Sequence, residues 1–206
     1  CTCGYNLPGY DSPFFDASDS EKLQIASADG SLVVLRIHAF SINYADCCIR
    51  WGLYESANRF VGYPIVPGFD VAGVVEKVIP SPKDSCPFRV GDKLYGATFF
   101  GAYSTRCLIP ANQLRKMPET LSFAQAAALP AVSLTALYTL HLGGRCAFVT
   151  PANNNSDEIT TTLIAPSNRS ILIHSAAGGV GSMMVQMAKL LGLSPVVGVV
   201  GRTAKV

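Results

Sequence analysis

The chain has 206 residues, of which 49% are hydrophobic and 15% are charged, and its formal net charge at pH 7 is +2. This composition supports a sizeable buried core and excludes an extensively disordered chain. So small a net charge argues against a broad basic face for nucleic acid, and we find no apolar run long enough for a membrane span.

The seven cysteines contain no CxxC pair, and their number is odd and their spacing irregular. This pattern argues against both a disulfide framework and a zinc knuckle. The first residues, CTCGYNLPGYDSP, fit neither a signal peptide nor a transit peptide. We therefore expect reduced, buried thiols in a cytoplasmic protein.

The first half of the chain is patterned as short strands separated by turns, after a polar segment over residues 1–30. A helix is predicted over Asn43–Leu53, with Asn43 as its cap and Gly52 as its stop. A proline-bounded turn follows at residues 63–70. Short strands with frequent turns favour a small barrel-like β domain. Strands are predicted at Leu32–Ile37, Val71–Val78 and Ala102–Ile109, and residues 89–96 predict a turn followed by a strand.

The composition shifts near residue 120. Residues 121–142 are rich in alanine and leucine and predict two helical pieces that break at Pro130. Residues 143–169 are rich in Asn and Thr and contain two prolines, so they predict an irregular loop. Its 27 residues are long for a loop in a compact domain, which suggests an insertion.

Residues 170–206 predict a strand, a glycine turn, a helix and a second strand at Val196–Val200, which together make a βαβ unit. The turn has the spacing Ala176-x-Gly178-x-x-Gly181, with alanine in the first of three glycine slots. Unpaired N–H groups and the positive dipole end at a helix amino terminus stabilise a pyrophosphate, and glycine allows its close approach. A glycine-rich helix start can also be a packing device, but the strands on either side favour a dinucleotide site. We predict that the cofactor contacts are Ala177, Gly178, Gly179, Val180 and Gly181.

Several segments of the chain also carry a family resemblance. They are NYADCCIRWGLY, YPIVPGFDVAGVVEKV, RVGDKLYG, GAYSTRCLIPANQL, LSFAQAAALPAVSLTALYTL and ILIHSAAGGVGSMMVQMAKLLG. In this order they resemble the medium-chain dehydrogenase/reductase superfamily, in its zinc-free quinone oxidoreductase branch, which includes zeta-crystallin and the VAT-1-like proteins. The likeness runs from about Leu32 to Val206, apart from residues 143–169.

The resemblance implies a GroES-like β-barrel domain over residues 1–120 and the first βαβ part of a Rossmann domain over residues 121–206. One βαβ unit cannot form a parallel sheet that is covered on both faces. The sequence also lacks an initiator Met, and members of the family continue well beyond Val206. We therefore expect the chain to be part of a longer protein and to be inactive by itself. Superfamily members often dimerise through the Rossmann sheet, so a homodimer is possible for the full-length protein.

The resemblance also bears on zinc. Zinc alcohol dehydrogenases of this superfamily place Cys at the start of the short helix and Gly-His-Glu in the proline-bounded turn. Here these positions hold Asn43 and Gly68-Phe69-Asp70, and neither Asn nor Phe is a credible zinc ligand. The structural zinc loop would need four cysteines, but only Cys86 and Cys107 lie in that region. We predict that the protein binds no metal.

Without a metal Lewis acid, a quinone or an α,β-unsaturated carbonyl is the acceptor that suits hydride transfer, as the family resemblance also implies. Asn43 matches the family's active-site Asn and either holds the nicotinamide or the acceptor oxygen, or only caps its helix. Tyr54 either donates to a developing oxyanion or packs. Asp46 either orients its neighbours or complements the helix amino terminus.

The second strand is followed by Gly201-Arg202-Thr203-Ala204-Lys205, where NAD-type sites carry an acidic residue for the ribose. Arg202 and Lys205 suit a 2′-phosphate instead, so NADPH is the predicted cofactor, unless they form only a solvated turn. Thr135 matches a family Thr beside the nicotinamide ribose or phosphates, and otherwise is an ordinary helix residue.

Two functions of different class follow from these features. The first is an NADPH-dependent quinone or enone reductase that works without zinc. The second is a non-catalytic NADPH-binding or structural protein, because relatives include a lens crystallin and a vesicle protein. The sequence does not identify the electron acceptor.

Overall fold

The computed structural model describes residues 2–3, 30–149, 162–164 and 169–201. The chain divides into two compact units, Cys1–Ala131 and Val132–Val206. The domain boundary at residue 120 stays a prediction.

The first unit contains one six-stranded sheet with the strand order β1-β5-β2-β3-β4-β6. Its strands are β1 (Thr2–Cys3), β2 (Leu32–Phe40), β3 (Asp70–Ile79), β4 (Lys93–Ala97), β5 (Arg106–Pro110) and β6 (Leu114–Lys116). The β1–β5 pair is parallel and the other pairs are antiparallel. The register of β2 on β3 shifts between Val34 and Leu35 and again between Ile37 and Ala39. Such irregularities bend a strand and increase its twist.

The core of this unit consists of apolar side chains contributed by five of the six strands and the segments that join them. Burying apolar surface at roughly 25 cal/mol per Å² makes this cluster the main source of the unit's stability. Its largest fully buried members are Val33, Leu35, Val71, Val75, Leu94, Ile109 and Leu114.

The described part of the first unit also contains the helices α1 (Tyr44–Arg50), α2 (Glu55–Phe60) and α3 (Phe123–Ala127). The predicted helix after Asn43 is α1, with Asn43 at the N-cap position and Gly52, at φ +71°, just beyond its carboxyl end. The sequence analysis missed α2, because ESANRF has no apolar periodicity.

The predicted strand Ala102–Ile109 begins only at Arg106. Residues 101–103 direct their N–H groups to the carbonyl oxygens of the proline-bounded turn instead of to the sheet, with Gly101 bonding to Val66 and Tyr103 to Pro67. The sequence analysis had therefore assigned to the sheet a segment that supports the turn.

The second unit contains most of α4 (Pro130–Leu142) and the predicted βαβ unit, β9 (Ile171–Ile173), α5 (Gly179–Leu190) and β10 (Val196–Gly198). Strands β9 and β10 are parallel, with Ile171 opposite Val196. Gly192, at φ +72°, follows the carboxyl end of α5, where glycine is favoured. A cluster that includes Leu140, Ile173 and Ala188 packs α5 against β9 and the end of α4.

The prediction of an irregular loop over residues 143–169 is wrong for six residues, which form two short strands. Strands β7 (Ala147–Val149) and β8 (Thr162–Ile164) form an antiparallel pair with Ala147 opposite Ile164. These triplets, AFV and TLI, are apolar or β-branched, and the surrounding Asn, Thr and Pro concealed them. Most of the remaining loop lies outside the described residues.

By length and composition alone, the helical stretch Phe123–Leu142 could cross a membrane. The sequence analysis did not expect this, because small polar residues interrupt the apolar ones. The stretch is divided between α3 and α4, and Ala126 and Ala127 of α3 pack with Ala72 of β3 in a buried cluster. Only 28% of the apolar window is buried, and a single stretch of this kind is weak evidence for a membrane span.

We expect Gly73→Ala to destabilise the first unit by about 3 kcal/mol or more. A Cβ on Gly73 would lie 2.1 Å from the carbonyl oxygen of Arg36, so β2 and β3 would have to separate. Urea unfolding gives the free-energy change. In the control Gly30→Ala, the added Cβ meets only Asp84 Oδ2 at 3.7 Å, and we expect a change within about 0.5 kcal/mol. Equal stability of the two variants would contradict the close approach of β2 and β3.

Candidate functional site

The carboxylate of Asp46, in the first turn of α1, is buried with 2% exposure and receives three hydrogen bonds. Its Oδ1 accepts from the N–H of Gly68 at 2.9 Å. Its Oδ2 accepts from the N–H of Asn43 at 2.8 Å and from the hydroxyl of Tyr103 at 2.8 Å. Asp46 therefore connects the start of α1 to the proline-bounded turn and to the segment before β5.

A second buried carboxylate, Asp70, lies at the start of β3 with 1% exposure. It accepts from the Ser41 hydroxyl, from Asn43 Nδ2 at 2.8 Å and from the N–H of Ala131 at 2.7 Å. Asn43 Nδ2 also lies 3.0 Å from Ser41 Oγ. Asn43 thus bridges the two carboxylates, with its backbone N–H on Asp46 and its side-chain amide on Asp70.

We call Ser41, Asn43, Asp46, Asp70 and Tyr103 the polar frame. None of the ion pairs among the described residues involves either of its carboxylates. A buried charge is tolerated only where hydrogen-bond donors replace its water. Each carboxylate here has three donors, so the frame holds its charges with N–H and O–H groups.

Gly68 is required in the polar frame's supporting turn for two reasons. Its φ is +99°, which favours glycine, and a Cβ there would lie 2.5 Å from Tyr103 Cδ1. The Gly68 carbonyl oxygen accepts from the N–H of Ala102 at 3.3 Å. The turn is therefore packed directly on the 101–103 segment.

The sequence analysis did not identify Tyr103 as a site residue. Its ring packs against Phe40 with 4.5 Å between centroids. Burial and, next, the hydrogen bond to the Asp46 carboxylate raise the pKa of Tyr103 far above its usual value. The hydroxyl therefore keeps its proton and acts as a donor to Asp46. In the sequence, Tyr103 stands in the segment GAYSTRC directly after two small residues, and this position was the only local feature that set it apart.

Tyr54 lies at the N-cap position of α2, and its hydroxyl has no hydrogen-bond partner among the described residues. Its ring contacts Phe69 and, edge-on, Phe100, with centroid distances of 5.9 Å and 6.1 Å. The structure gives Tyr54 the contacts of a packing residue and does not bring its hydroxyl into the polar frame. Its predicted oxyanion role stays a prediction.

The amino end of α5 lies in the second unit and has the geometry that phosphate binding requires. The first backbone bond after the N-cap Gly178 runs from the N–H of Ser182 to the Gly178 carbonyl at 2.9 Å. The N–H groups of Gly179, Val180 and Gly181 precede this ladder and remain available to an anion. These residues fit the pyrophosphate of a dinucleotide.

Gly181, the third glycine of the motif, has a packing role in this turn. A Cβ on it would lie 2.2 Å from the carbonyl oxygen of Ser175, so only glycine lets α5 approach the turn so closely. Ala176, in the slot that usually holds the first glycine, donates its N–H to the Val199 carbonyl at 3.0 Å. Alanine therefore fits there without disturbing the βαβ unit.

Four other cofactor residues were predicted outside this turn. Thr135 is exposed on α4, and its carbonyl accepts from the Thr139 hydroxyl at 2.7 Å. Gly201 is exposed and is the last described residue. Arg202 and Lys205 lie outside the described residues, so their predicted contact with a 2′-phosphate stays a prediction.

No group of three or more His, Cys, Asp or Glu side chains in the described part of the chain could hold a metal ion. Phe69 packs among aromatic rings, including Tyr54 and Phe100. The absence of zinc stays a prediction. Five cysteines within the described ranges are free thiols: Cys47, Cys48, Cys86, Cys107 and Cys146.

We expect the stability of the protein to fall as the pH rises above about 10, and Tyr103→Phe to make this fall shallower. The unfolded tyrosine ionises near that pH whereas the folded one stays protonated, so the unfolded state binds fewer protons and is increasingly favoured as the pH rises. One such proton gives a slope of up to about 1.4 kcal/mol per pH unit. Urea unfolding at several alkaline pH values measures the slope, and identical slopes for the two proteins would contradict the raised pKa of Tyr103.

Comparison with known proteins assigns the chain to a family. Residues 29–119 match the alcohol dehydrogenase GroES-like domain. The synaptic vesicle membrane protein VAT-1 homolog of Danio rerio is 31% identical over 175 residues, which cover 83% of this chain and 31% of the relative. The quinone oxidoreductase of Mus musculus is 33% identical over 162 residues, covering 78% and 41%. The 2-haloacrylate reductase of a Burkholderia species is 34% identical over 189 residues, covering 90% and 49%.

Among solved structures, the Escherichia coli quinone oxidoreductase complexed with NADPH is similar, with a TM-score of 0.64 and 29% identity. The match covers 84% of this chain and 45% of that one. The chain spans between about a third and a half of the length of the curated relatives named above. It carries a GroES-like domain and belongs to the medium-chain dehydrogenase/reductase superfamily, among the relatives of quinone oxidoreductases and VAT-1 homologs.

Proposed function

We propose that the protein is an NADPH-dependent oxidoreductase that reduces a quinone or an α,β-unsaturated carbonyl without zinc. The observation that carries the proposal is the polar frame, because two of its residues, Asn43 and Asp70, match the sequence positions at which the family resemblance puts metal ligands in zinc-dependent members. The Asp70 carboxylate is held there by Ser41, Asn43 and Ala131. Asn43 supplies an amide and Phe69 an aromatic ring, neither of which suits Zn²⁺.

The choice of acceptor follows from this donor set. An alcohol or simple carbonyl substrate needs a Lewis acid or a general acid at its oxygen, whereas a quinone or enone is already electrophilic. The bound nicotinamide supplies the hydride, and a proton from water completes the reduction. The relatives named quinone oxidoreductase and 2-haloacrylate reductase support an acceptor of this kind.

In this proposal, Asn43 is the residue that touches the nicotinamide or the acceptor. Asp46 is buried and both of its oxygens receive donors from the protein, so its role is to orient Asn43 and not to transfer a proton. Asp70 fixes the amide group of Asn43 from the other side. Asn43 is therefore already held in place by Asp46 and Asp70, and in this proposal neither carboxylate has to move during the reaction.

The amino end of α5 supplies the cofactor half of the function. The backbone at Ala177, Gly178, Gly179, Val180 and Gly181 would hold the pyrophosphate, and Thr135 would lie beside the ribose or phosphates. Arg202 and Lys205 would hold the 2′-phosphate. The NADPH complex of the similar Escherichia coli enzyme supports this choice of cofactor.

A second function is favoured by one observation, the 31% identity to a protein named for the synaptic vesicle membrane and not for a reaction. In this alternative the protein binds NADPH but reduces no acceptor. Both candidates require the phosphate-binding end of α5, and they differ only in turnover.

Assays of NADPH oxidation by the full-length protein, with a panel of acceptors, separate the two functions. We expect turnover with a quinone or a 2-alkenal, none with the matched saturated aldehyde, and no loss of activity after treatment with a metal chelator. NADPH binding without turnover of any acceptor would overturn the reductase proposal and support the non-catalytic one. Loss of activity to the chelator, with recovery on adding zinc, would contradict the metal-free reaction.

The cofactor preference has a separate test. We expect Arg202→Ala and Lys205→Ala each to weaken NADPH binding about 10-fold or more, since each removes a charge-assisted bond to the 2′-phosphate. NADH binding should not change, because NADH lacks this phosphate. The control is Lys189→Ala, which removes an exposed cation from the last turn of α5. Fluorescence titration gives the dissociation constants, and equal losses for NADPH and NADH would contradict the assignment.

A further inference from the structure

We infer that Tyr103 is a positioning residue for the Asn43 amide, acting through Asp46 and through the turn at Gly68. This inference rests on the proposed function, in which Asn43 touches the cofactor or the acceptor. Tyr103 makes two contacts of different kinds in the polar frame. Its hydroxyl donates to Asp46 Oδ2, and its ring occupies the space beside Gly68 that a Cβ would need.

The first path from Tyr103 to Asn43 runs through the Asp46 carboxylate. Asp46 Oδ2 accepts from both Tyr103 and the Asn43 N–H, while Oδ1 accepts from Gly68. Because both oxygens are engaged, the carboxylate cannot rotate freely about its last bond. Its orientation fixes the backbone at Asn43.

The second path runs through the proline-bounded turn. The Tyr103 N–H donates to the Pro67 carbonyl at 3.1 Å, and its ring covers Gly68. Asp70, which lies two residues after Gly68, accepts a hydrogen bond from the Asn43 side-chain amide. Tyr103 therefore restrains both the backbone and the side chain of Asn43, from a position where it touches neither.

Tyrosine suits this role better than phenylalanine for a physical reason. A buried carboxylate that loses one of three donors reorients or admits water to replace the missing bond. The raised pKa of Tyr103 means that its donor persists across the physiological pH range. Phenylalanine would keep the packing on Gly68 and Phe40 but would remove the restraint on Asp46.

The test compares Tyr103→Phe with Tyr95→Phe. Tyr95 is a half-buried residue of β4 whose ring packs in the alanine-rich cluster, and no hydrogen bond of its hydroxyl is found among the described residues. Hydrogen exchange of the Asn43 backbone N–H, followed by NMR, reports directly on its bond to Asp46 Oδ2. We expect exchange about 10-fold faster or more in Tyr103→Phe, and no change in Tyr95→Phe, at matched global stability.

Steady-state kinetics with the acceptor gives the second readout. We expect Tyr103→Phe to lower kcat about 10-fold or more while the NADPH dissociation constant stays unchanged, because the cofactor's phosphate site is separate in sequence and fold. An unchanged exchange rate at Asn43 would overturn the inference whatever the activity. If the wild-type protein reduces no acceptor, the proposed function fails, but the exchange measurement still decides whether Tyr103 positions Asn43.

A second variant covers the case in which Tyr103→Phe does not fold. Replacing Tyr103 by 3-fluorotyrosine keeps the ring and the hydroxyl and makes the hydroxyl a stronger donor. We expect the Asn43 backbone N–H resonance to shift, because this group shares Asp46 Oδ2 with the Tyr103 hydroxyl, and the same replacement at Tyr95 to leave it in place. No shift at Asn43 in the Tyr103 variant would contradict the inference.

Discussion

The buried charge of Asp46 is the constraint on which the rest of the candidate site depends. A carboxylate with 2% exposure has almost no water to solvate it, so the protein must supply donors of its own. They come from its own helix start, from Gly68 and from Tyr103, which are far apart in the sequence. The fold of the first unit is what brings these three segments to one carboxylate. Asn43 acquires its position as a consequence.

In both units, a glycine lets one segment of backbone approach a neighbouring group closely. In the first unit, Gly68 allows the turn to lie against Tyr103 and to donate to Asp46. In the second, Gly181 allows α5 to lie against the carbonyl oxygen of Ser175. Both glycines act by the absence of a side chain. The polar groups that bind or orient are then largely N–H groups, whose direction the fold fixes more firmly than that of a flexible side chain.

The sequence predicted the elements with strong local signals and missed those that depend on distant partners. The βαβ unit and α1 carry periodicity and end signals, and both are present. Strands β7 and β8 are too short for a pattern to stand out from their polar surroundings. Asn43 was found from the family resemblance and Asp46 from its place in the predicted helix, but Tyr103 was not found, because its hydrogen bond spans 57 positions in sequence. The structure shows Asn43 at the N-cap of α1 with its side-chain amide bound to Asp70, and its role as a site residue stays a prediction.

The backbone bonds between residues 66–68 and 101–103 have a consequence for how the molecule opens. Gly101, Ala102 and Tyr103 each donate to a carbonyl of the turn, while Asp46 joins the same two segments through Gly68 and Tyr103. If either segment moved away, the hydrogen bonds between the two segments would break and the Asp46 carboxylate would become exposed. The two segments and the start of α1 therefore form a single cooperative unit, which opens and closes as a whole at one free energy.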